Sequence, residues 1–370
     1  MYYYDFIIVG AGLYGSICAF ELKKRGFKCL VIEKREHIGG NCYTEEVEGI
    51  HVHKYGAHIF RTSEKAIWEY FQQFAEFNNF INTPLANYHG EIYNLPFNMN
   101  TFNRMWGCVT PEEAKKIIQE QRVVPENDVK NLEEYAISQV GIDIYNKLIK
   151  GYTEKQWGRA CKDLPAAIMR RIPIRYTYNN NYYLDRYQGI PIGGYTQIFE
   201  KMLEGIDIEL GTSFCDVRNK YLNKNVKVIY TGPIDEYFEY QFGALEYRSL
   251  KFKHEVLDID NYQGVAVVNY TDRETPYTRV IEHKFFEEKK SNRTVISREY
   301  PFEWQLGVDP YYPINNTKNQ NKFYKYMSLA EKEKNVFFGG RLGEYKYTDM
   351  QETVKMALEA VNKILGQVNT

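Results

Sequence analysis

Gly10-Ala11-Gly12-Leu13-Tyr14-Gly15 falls between an apolar run, Phe6 to Val9, and a helical pattern, Ser16 to Arg25. A second apolar run, Lys28 to Ile32, ends at Glu33, 21 residues beyond Gly12. Strand, glycine turn, helix and strand within about thirty residues predict a Rossmann βαβ unit, because few other folds need three glycines at this spacing. Gly10 permits the tight turn, Gly12 lets backbone N–H groups approach a pyrophosphate, and Gly15 lets helix and strand pack closely. The helix N-terminus then favours phosphate charge. Glu33 is placed to accept from a ribose diol, and its carboxylate disfavours the 2′-phosphate of NADP. Leu13 and Lys34 adjoin these groups and complete the predicted dinucleotide contacts.

The choice between NAD and FAD turns on two glycine pairs further along the chain. Glu33 leads into Lys-Arg-Glu-His-Ile-Gly39-Gly40-Asn41, a second glycine pair typical of flavoproteins with two dinucleotide-binding signatures. Near the other end, Gly339-Gly340-Arg341 precedes a helix starting near Asp349, as in the segment that closes over the flavin in that class. Together they favour FAD.

With 370 residues the chain exceeds a single core, so one nucleotide-binding domain with inserted parts is expected. Net charge is −1, with no Lys/Arg-rich run to suggest nucleic acid or a membrane surface. Thirty-three tyrosines offer flat faces with polar tips, which suit a sugar or nucleotide, although biased composition explains many of them equally well. Six cysteines lack metal-ligand or disulfide spacing and read as small hydrophobes in a reducing cytoplasm; no metal is expected. No apolar segment reaches the ~18 residues of a membrane span, and the run at Phe6 is too short for a signal segment.

Helices are predicted over Ser63–Phe77, Pro111–Gln121, Leu132–Ile149 (capped by Asn131) and Met350–Leu365 (capped by Asp349). Pro173–Gly194 reads as a loop. Val226–Tyr230 and Val336–Phe338 read as strands, and Ala266–Tyr270 and Thr294–Arg298 as parts of an antiparallel sheet. The predicted class is α/β: a Rossmann-like FAD-binding domain with an inserted helical domain and an antiparallel β-sheet domain. Residues 1–80 form the Rossmann part and 81–170 the helical insert. Residues 171–330 form the loop, the substrate sheet and a return to the FAD domain, and 331–370 the last FAD-binding strand and helix.

Several blocks match one family. Ile38-Gly39-Gly40-Asn41, Tyr55-Gly56-Ala57-His58-Ile59-Phe60, Gly151-Tyr152-Thr153-Glu154-Lys155-Gln156-Trp157-Gly158, Pro276-Tyr277-Thr278-Arg279, Pro310-Tyr311-Tyr312-Pro313 and Gly340-Arg341-Leu342 together resemble bacterial UDP-galactopyranose mutases, over essentially the whole chain. The resemblance implies interconversion of the six- and five-membered ring forms of UDP-galactose by reduced FAD. Flavin N5 would attack the anomeric carbon, the adduct would open to an iminium, and no net electrons would be consumed. Homodimers are the family habit.

The resemblance also assigns roles. Arg171 and Arg279 bind the diphosphate, as bidentate arginines suit it, and stabilise UDP as it leaves. Tyr152 and Trp157 hold uracil, with Thr153 beside them on the substrate. Tyr182, Tyr312, Tyr347 and Asp349 contact the diphosphate or active site. His58 lies beside the flavin with Ile59, Arg341 faces the flavin as a cation, and Asn82 and Arg248 make further sugar or flavin contacts. Gly40, Asn41, Gly340 and Met350 complete the cofactor site. Read alone, Tyr152 and Trp157 are helix-end aromatics, Arg171 is a loop charge beside Arg170, and Asp349 is a helix cap.

One position departs from the family, which commonly has histidine three residues after His58; here it is Arg61. A longer, permanently charged donor predicts that UDP-N-acetylgalactosamine is accepted beside UDP-galactose, through its acetamido carbonyl. Two other readings share the glycine signatures: a flavin oxidase or desaturase, and a non-catalytic escort protein of the same fold.

Overall fold

The computed structural model describes residues 4–124, 129–171, 174–222 and 226–368. Phe6–Val9 is the middle strand of a five-stranded sheet, flanked by Lys227–Tyr230 and Cys29–Ile32, with Val336–Phe338 and Asp207–Glu209 at the edges. All pairs are parallel. Both early strands are buried at every position, as apolar runs must be when helices cover both faces. On one face the helix Leu13–Lys24 packs with Thr196–Leu203 and the terminal helix Met350–Val368, around Ile17, Leu22, Phe199 and Val354.

The glycine turn is a steric solution. A methyl on Gly15 would lie 2.0 Å from the Gly10 carbonyl oxygen, so the first helix starts this close to its strand only without a side chain. The same holds across the turn, where a Cβ on Gly40 would lie 2.8 Å from Gly12 Cα.

The second sheet has seven strands, in the order Tyr312–Pro313, Tyr247–Leu257, Thr294–Glu303, Arg279–Glu282, Val267–Tyr270, Leu85–Tyr88 and Glu91–Asn94. Sequence reasoning expected an antiparallel sheet; the sheet is mixed, because Val267–Tyr270 and Leu85–Tyr88 run parallel. The last two strands are a hairpin arriving from the segment read as helical, and no tight turn joins it to its neighbour to force the opposite direction.

The helical part packs Met99–Trp106, Pro111–Gln121 and Leu132–Val140 around Phe102, Ile118, Leu132 and Tyr145. Pro111 opens its helix behind a Thr110–Glu113 capping box, and Asn131 accepts from the Glu134 N–H at 2.9 Å, as expected. The helix expected to run to Ile149 stops at Val140, because Gly141 takes φ 80 and ψ 172. The chain re-enters at Ile142–Ile144, passes through a π-helical stretch, Tyr145–Lys150, and continues as Gly151–Trp157. Ser63–Phe77 is shorter than expected, Lys65–Gln72, although Phe74 and Phe77 still join the aromatic cluster around Phe71.

Candidate active site

The carboxyl ends of the parallel strands, the face of the large sheet and the start of the terminal helix enclose a cavity of about 500 Å³. A cleft of about 170 Å³ adjoins it beside Glu33 and shares Gly12, Lys34, Arg35 and Asn41 with it. Gly10, Glu33 and Gly40 line the cleft, and Leu13, Gly15, Gly340 and Met350 line the cavity. Glu33 is itself part of the turn, since one carboxylate oxygen accepts from the Ala11 N–H at 2.7 Å and the other from the Arg35 N–H at 2.9 Å. Arg35 lies 4.2 Å over the Tyr55 ring and donates to Asp309 and Asn41, yet its Nη1 is buried without an acceptor among the described residues. A buried cationic donor left open beside backbone amides fits the pyrophosphate of a dinucleotide.

His58 and Ile59 line the middle of the cavity. A carbonyl only accepts, so the 2.8 Å contact with Gly56 O places the proton on His58 Nδ1 and leaves Nε2 as an acceptor. Burial, helped by the charges of Arg341 and Arg279, lowers the imidazole pKa to about 4, so the ring is neutral at pH 7. Arg341 is held by the carbonyls of Thr348 (2.8 Å) and Tyr311 (3.4 Å) and lies 4.9 Å from the centre of the Tyr347 ring.

At the far end, Arg279 Nη2 donates to the Tyr152 hydroxyl at 2.7 Å, and its Nε lies 3.5 Å from buried Glu299. Burial opposes the guanidinium charge, but Glu299 and the neighbouring Tyr152 and Tyr312 hydroxyls together outweigh it and keep the pKa well above its ordinary value. Asn82, Tyr182, Tyr312 and Tyr347 line the same end. Burial raises the Tyr152, Tyr182 and Tyr312 hydroxyls, so each stays a neutral donor. Asp349 does two jobs. One oxygen caps the terminal helix through the Glu352 N–H at 3.0 Å, and the other pairs with Arg61 at 3.0 Å.

Three predicted residues lie elsewhere. Arg248 does not line the cavity; its Nε and Nη2 donate to the carbonyls of Gln156 and Lys155, at 3.0 and 3.4 Å, where the helix ends with unpaired acceptors. Thr153 is buried off the cavity wall, because it follows Tyr152 by one residue on a helix. Trp157 stands behind Tyr312, ring centres 6.5 Å apart, and does not itself line the cavity. Arg171 ends the segment Ala166–Arg171, and its side chain falls outside the described residues. Arg61 lines the cavity, but its two terminal nitrogens bind Asp185 (2.8 Å) and Asp349, and the guanidinium lies 4.3 Å from the Tyr183 ring centre. One donor on each terminal nitrogen is therefore already paired.

Sequence reasoning missed Glu299, Arg35, Tyr183 and Asp185. Arg35 was within reach, two residues past the acidic end of the second strand. Glu299 sits directly across the ladder from Arg279, a pairing that only register reveals.

Fold and cavity define a Rossmann-type dinucleotide-binding protein whose cofactor end opens into a second, arginine- and tyrosine-lined chamber. A profile for UDP-galactopyranose mutase (GLF) matches residues 147–347, and one for an NAD(P)-binding Rossmann-like domain matches residues 8–74. The chain belongs to the UDP-galactopyranose mutase family, flavin-dependent mutases of nucleotide sugars. It is 38% identical to a probable UDP-galactopyranose mutase of Klebsiella pneumoniae, over 98% of this chain and 95% of the relative. It is 37% identical to a dTDP-fucopyranose mutase of Escherichia coli, over 95% and 96%. A crystal structure of reduced UDP-galactopyranose mutase shares the fold, with TM-score 0.76 at 15% identity, covering 100% of this chain and 95% of that one. Among the described residues no helix is long and apolar enough to cross a membrane.

Proposed function

We propose that this protein interconverts UDP-galactopyranose and UDP-galactofuranose with reduced FAD and no net redox change, and that it also accepts UDP-N-acetylgalactosamine. One observation carries the reading. A single cavity runs from the glycine turn past His58 and Arg341 to the Arg279–Tyr152 pair, so a cofactor and a nucleotide sugar would share one space. Bound and reduced, a flavin supplies the electron pair that displaces UDP from the anomeric carbon.

The chain's own groups do the rest. Arg279 meets the diphosphate as a permanent charge, with Arg171 as its proposed partner, and the charge that develops on departing UDP strengthens both contacts. Tyr182, Tyr312 and Tyr347 donate to phosphate oxygens without adding charge. His58 presents Nε2 as an acceptor toward the middle of the cavity, where it would hold a proton-bearing group in place. Leu95, Phe97 and Leu148 add apolar surface to the cavity lining. Because Arg61 is bound to two carboxylates, its effect on the C2 substituent would run through the shape of the wall they hold together and through its remaining N–H donors.

A thymidine-linked sugar is the second reading, favoured by the near-equal identity to the dTDP-fucopyranose mutase. The test is turnover of UDP-galactose, UDP-N-acetylgalactosamine and dTDP-fucose by yellow, purified protein, with and without dithionite. Isomerisation of UDP-galactose only under reduction is expected. Equal activity with the flavin oxidised would overturn the reading, and turnover of the thymidine sugar alone would replace it. Loss of acetylated-substrate turnover in Arg61→His is expected; no such turnover by either protein removes that part.

A further inference from the structure

Lys155 belongs to the most distinctive sequence block of the chain, yet it does not line the cavity. Its Nζ donates to three backbone carbonyls: Tyr270 at 2.8 Å, Thr275 at 3.0 Å and Tyr277 at 3.0 Å. An ammonium has three protons, so this ring of acceptors uses all of them. The acceptors come from one turn, residues 270–278, which joins the strands Val267–Tyr270 and Arg279–Glu282. Asp272 stitches the turn internally by accepting from the Thr275 N–H (2.6 Å) and hydroxyl (3.0 Å).

The same helix meets the same turn at two further points. A Cβ on Gly151 would lie 2.4 Å from Thr271 O and 3.1 Å from Arg273 N, so glycine is what lets the helix sit against the turn's backbone. Glu154 faces Arg273 at 3.8 Å. Tyr152 lies three residues before Lys155, on the same side of the helix, and Arg279 lies two residues beyond Tyr277, the last carbonyl of the ring. The Arg279–Tyr152 contact at 2.7 Å therefore spans the seam that Lys155 closes.

We propose that Lys155 is a positioning residue: by ringing its ammonium with the carbonyls of the 270–278 turn, it fixes Arg279 against Tyr152 in the geometry that receives a nucleoside diphosphate. The inference rests on the proposed role of Arg279. Burial lowers the Lys155 pKa to about 8, against the opposing pull of the Asp272 and Glu274 carboxylates.

A double-mutant cycle with UDP as the probe tests it, read as UDP dissociation constant, KM, kcat and flavin content. Lys155→Met keeps the stem and removes the donors. UDP binding is expected to weaken roughly tenfold, the size of one lost charged hydrogen bond, with KM rising more than kcat falls and flavin content unchanged. In an Arg279→Ala background the same substitution should cost almost nothing further, because the residue it positions is gone. If Lys155→Met fails to fold, Lys155→Gln, which keeps an N–H donor, carries the same cycle. Unchanged UDP affinity in Lys155→Met, full additivity with Arg279→Ala, or flavin loss alone overturns the proposal. Unchanged UDP affinity in Arg279→Ala instead overturns the diphosphate assignment itself, and this inference with it.

Discussion

His58 is one of a histidine group in which charge is uniformly disfavoured, with His53 and His283 buried and His58 and His254 half-buried. Its backbone N–H donates to His53 Nδ1, His53 N–H donates to His283 Nδ1, and His283 and His254 share the Ser297 hydroxyl. Burial lowers His58 and His254 to about 4 and His283 to about 3, from an ordinary value of 6.5. The unfolded chain therefore binds more protons than the native one between pH 6.5 and 4, and stability must fall as pH drops through that window. Each such histidine contributes a slope of about 1.4 kcal/mol per pH unit. Urea titrations at stepped pH should show the slope, and His283→Gln should reduce it; a flat profile from pH 6.5 to 4 contradicts the buried neutral state. For turnover, Arg279→Ala and Arg171→Ala are each expected to lower kcat/KM a hundredfold or more, about 2.7 kcal/mol. Near-normal values in both would remove the diphosphate clamp. At this scale the motifs located the neighbourhood but not the direction of each side chain. Tyr152, Thr153 and Trp157 share one block, and only helix phase sends the first to the cavity and the other two away from it. Arg248 is likewise spent on the end of that helix.

The elements that carry clear punctuation were legible: the glycine turn, the Thr110–Pro111 start, the Asn131 and Asp349 caps. The glycine turn yields a direct prediction. In Gly15→Ala the new methyl must displace the Gly10 carbonyl, at a cost of about 1–3 kcal/mol for an overpacked contact. The protein should purify with less than one flavin per chain, measured by visible absorbance after denaturation; full flavin content would show that the turn tolerates the shift. Elements lacking such punctuation were missed. Tyr247–Leu257 alternates Lys251, Lys253 and Glu255 with less polar neighbours, the period of a half-exposed strand, but its first four residues break that alternation, being buried in succession. Gly141 was visible as a letter, but whether a glycine interrupts a helix depends on its φ, and here a positive value breaks the run that would have reached Ile149.

The molecule is interleaved rather than serial. Strands at residues 6–9, 29–32, 207–209, 227–230 and 336–338 meet in one sheet, and Arg61, Asp185 and Asp349 join three distant segments in one ion-paired cluster at the cavity wall. Sequence alone marked Val226–Tyr230 and Val336–Phe338 as strands, but not that Lys227–Tyr230 pairs directly with Phe6–Val9, nor that a hairpin from residues 85–94 would extend the substrate sheet. A chain ended at residue 335 should therefore lack flavin entirely, although the first glycine turn is intact; retention of yellow colour would show that the N-terminal unit binds alone. The assembly order has a consequence for biosynthesis. A nascent polypeptide exposes its phosphate-binding turn well before the edge strand Val336–Phe338 and the residues after it, Gly340 to Met350, are made. Coenzyme capture then waits on translation of that later segment, and colour marks that the ribosome has passed it.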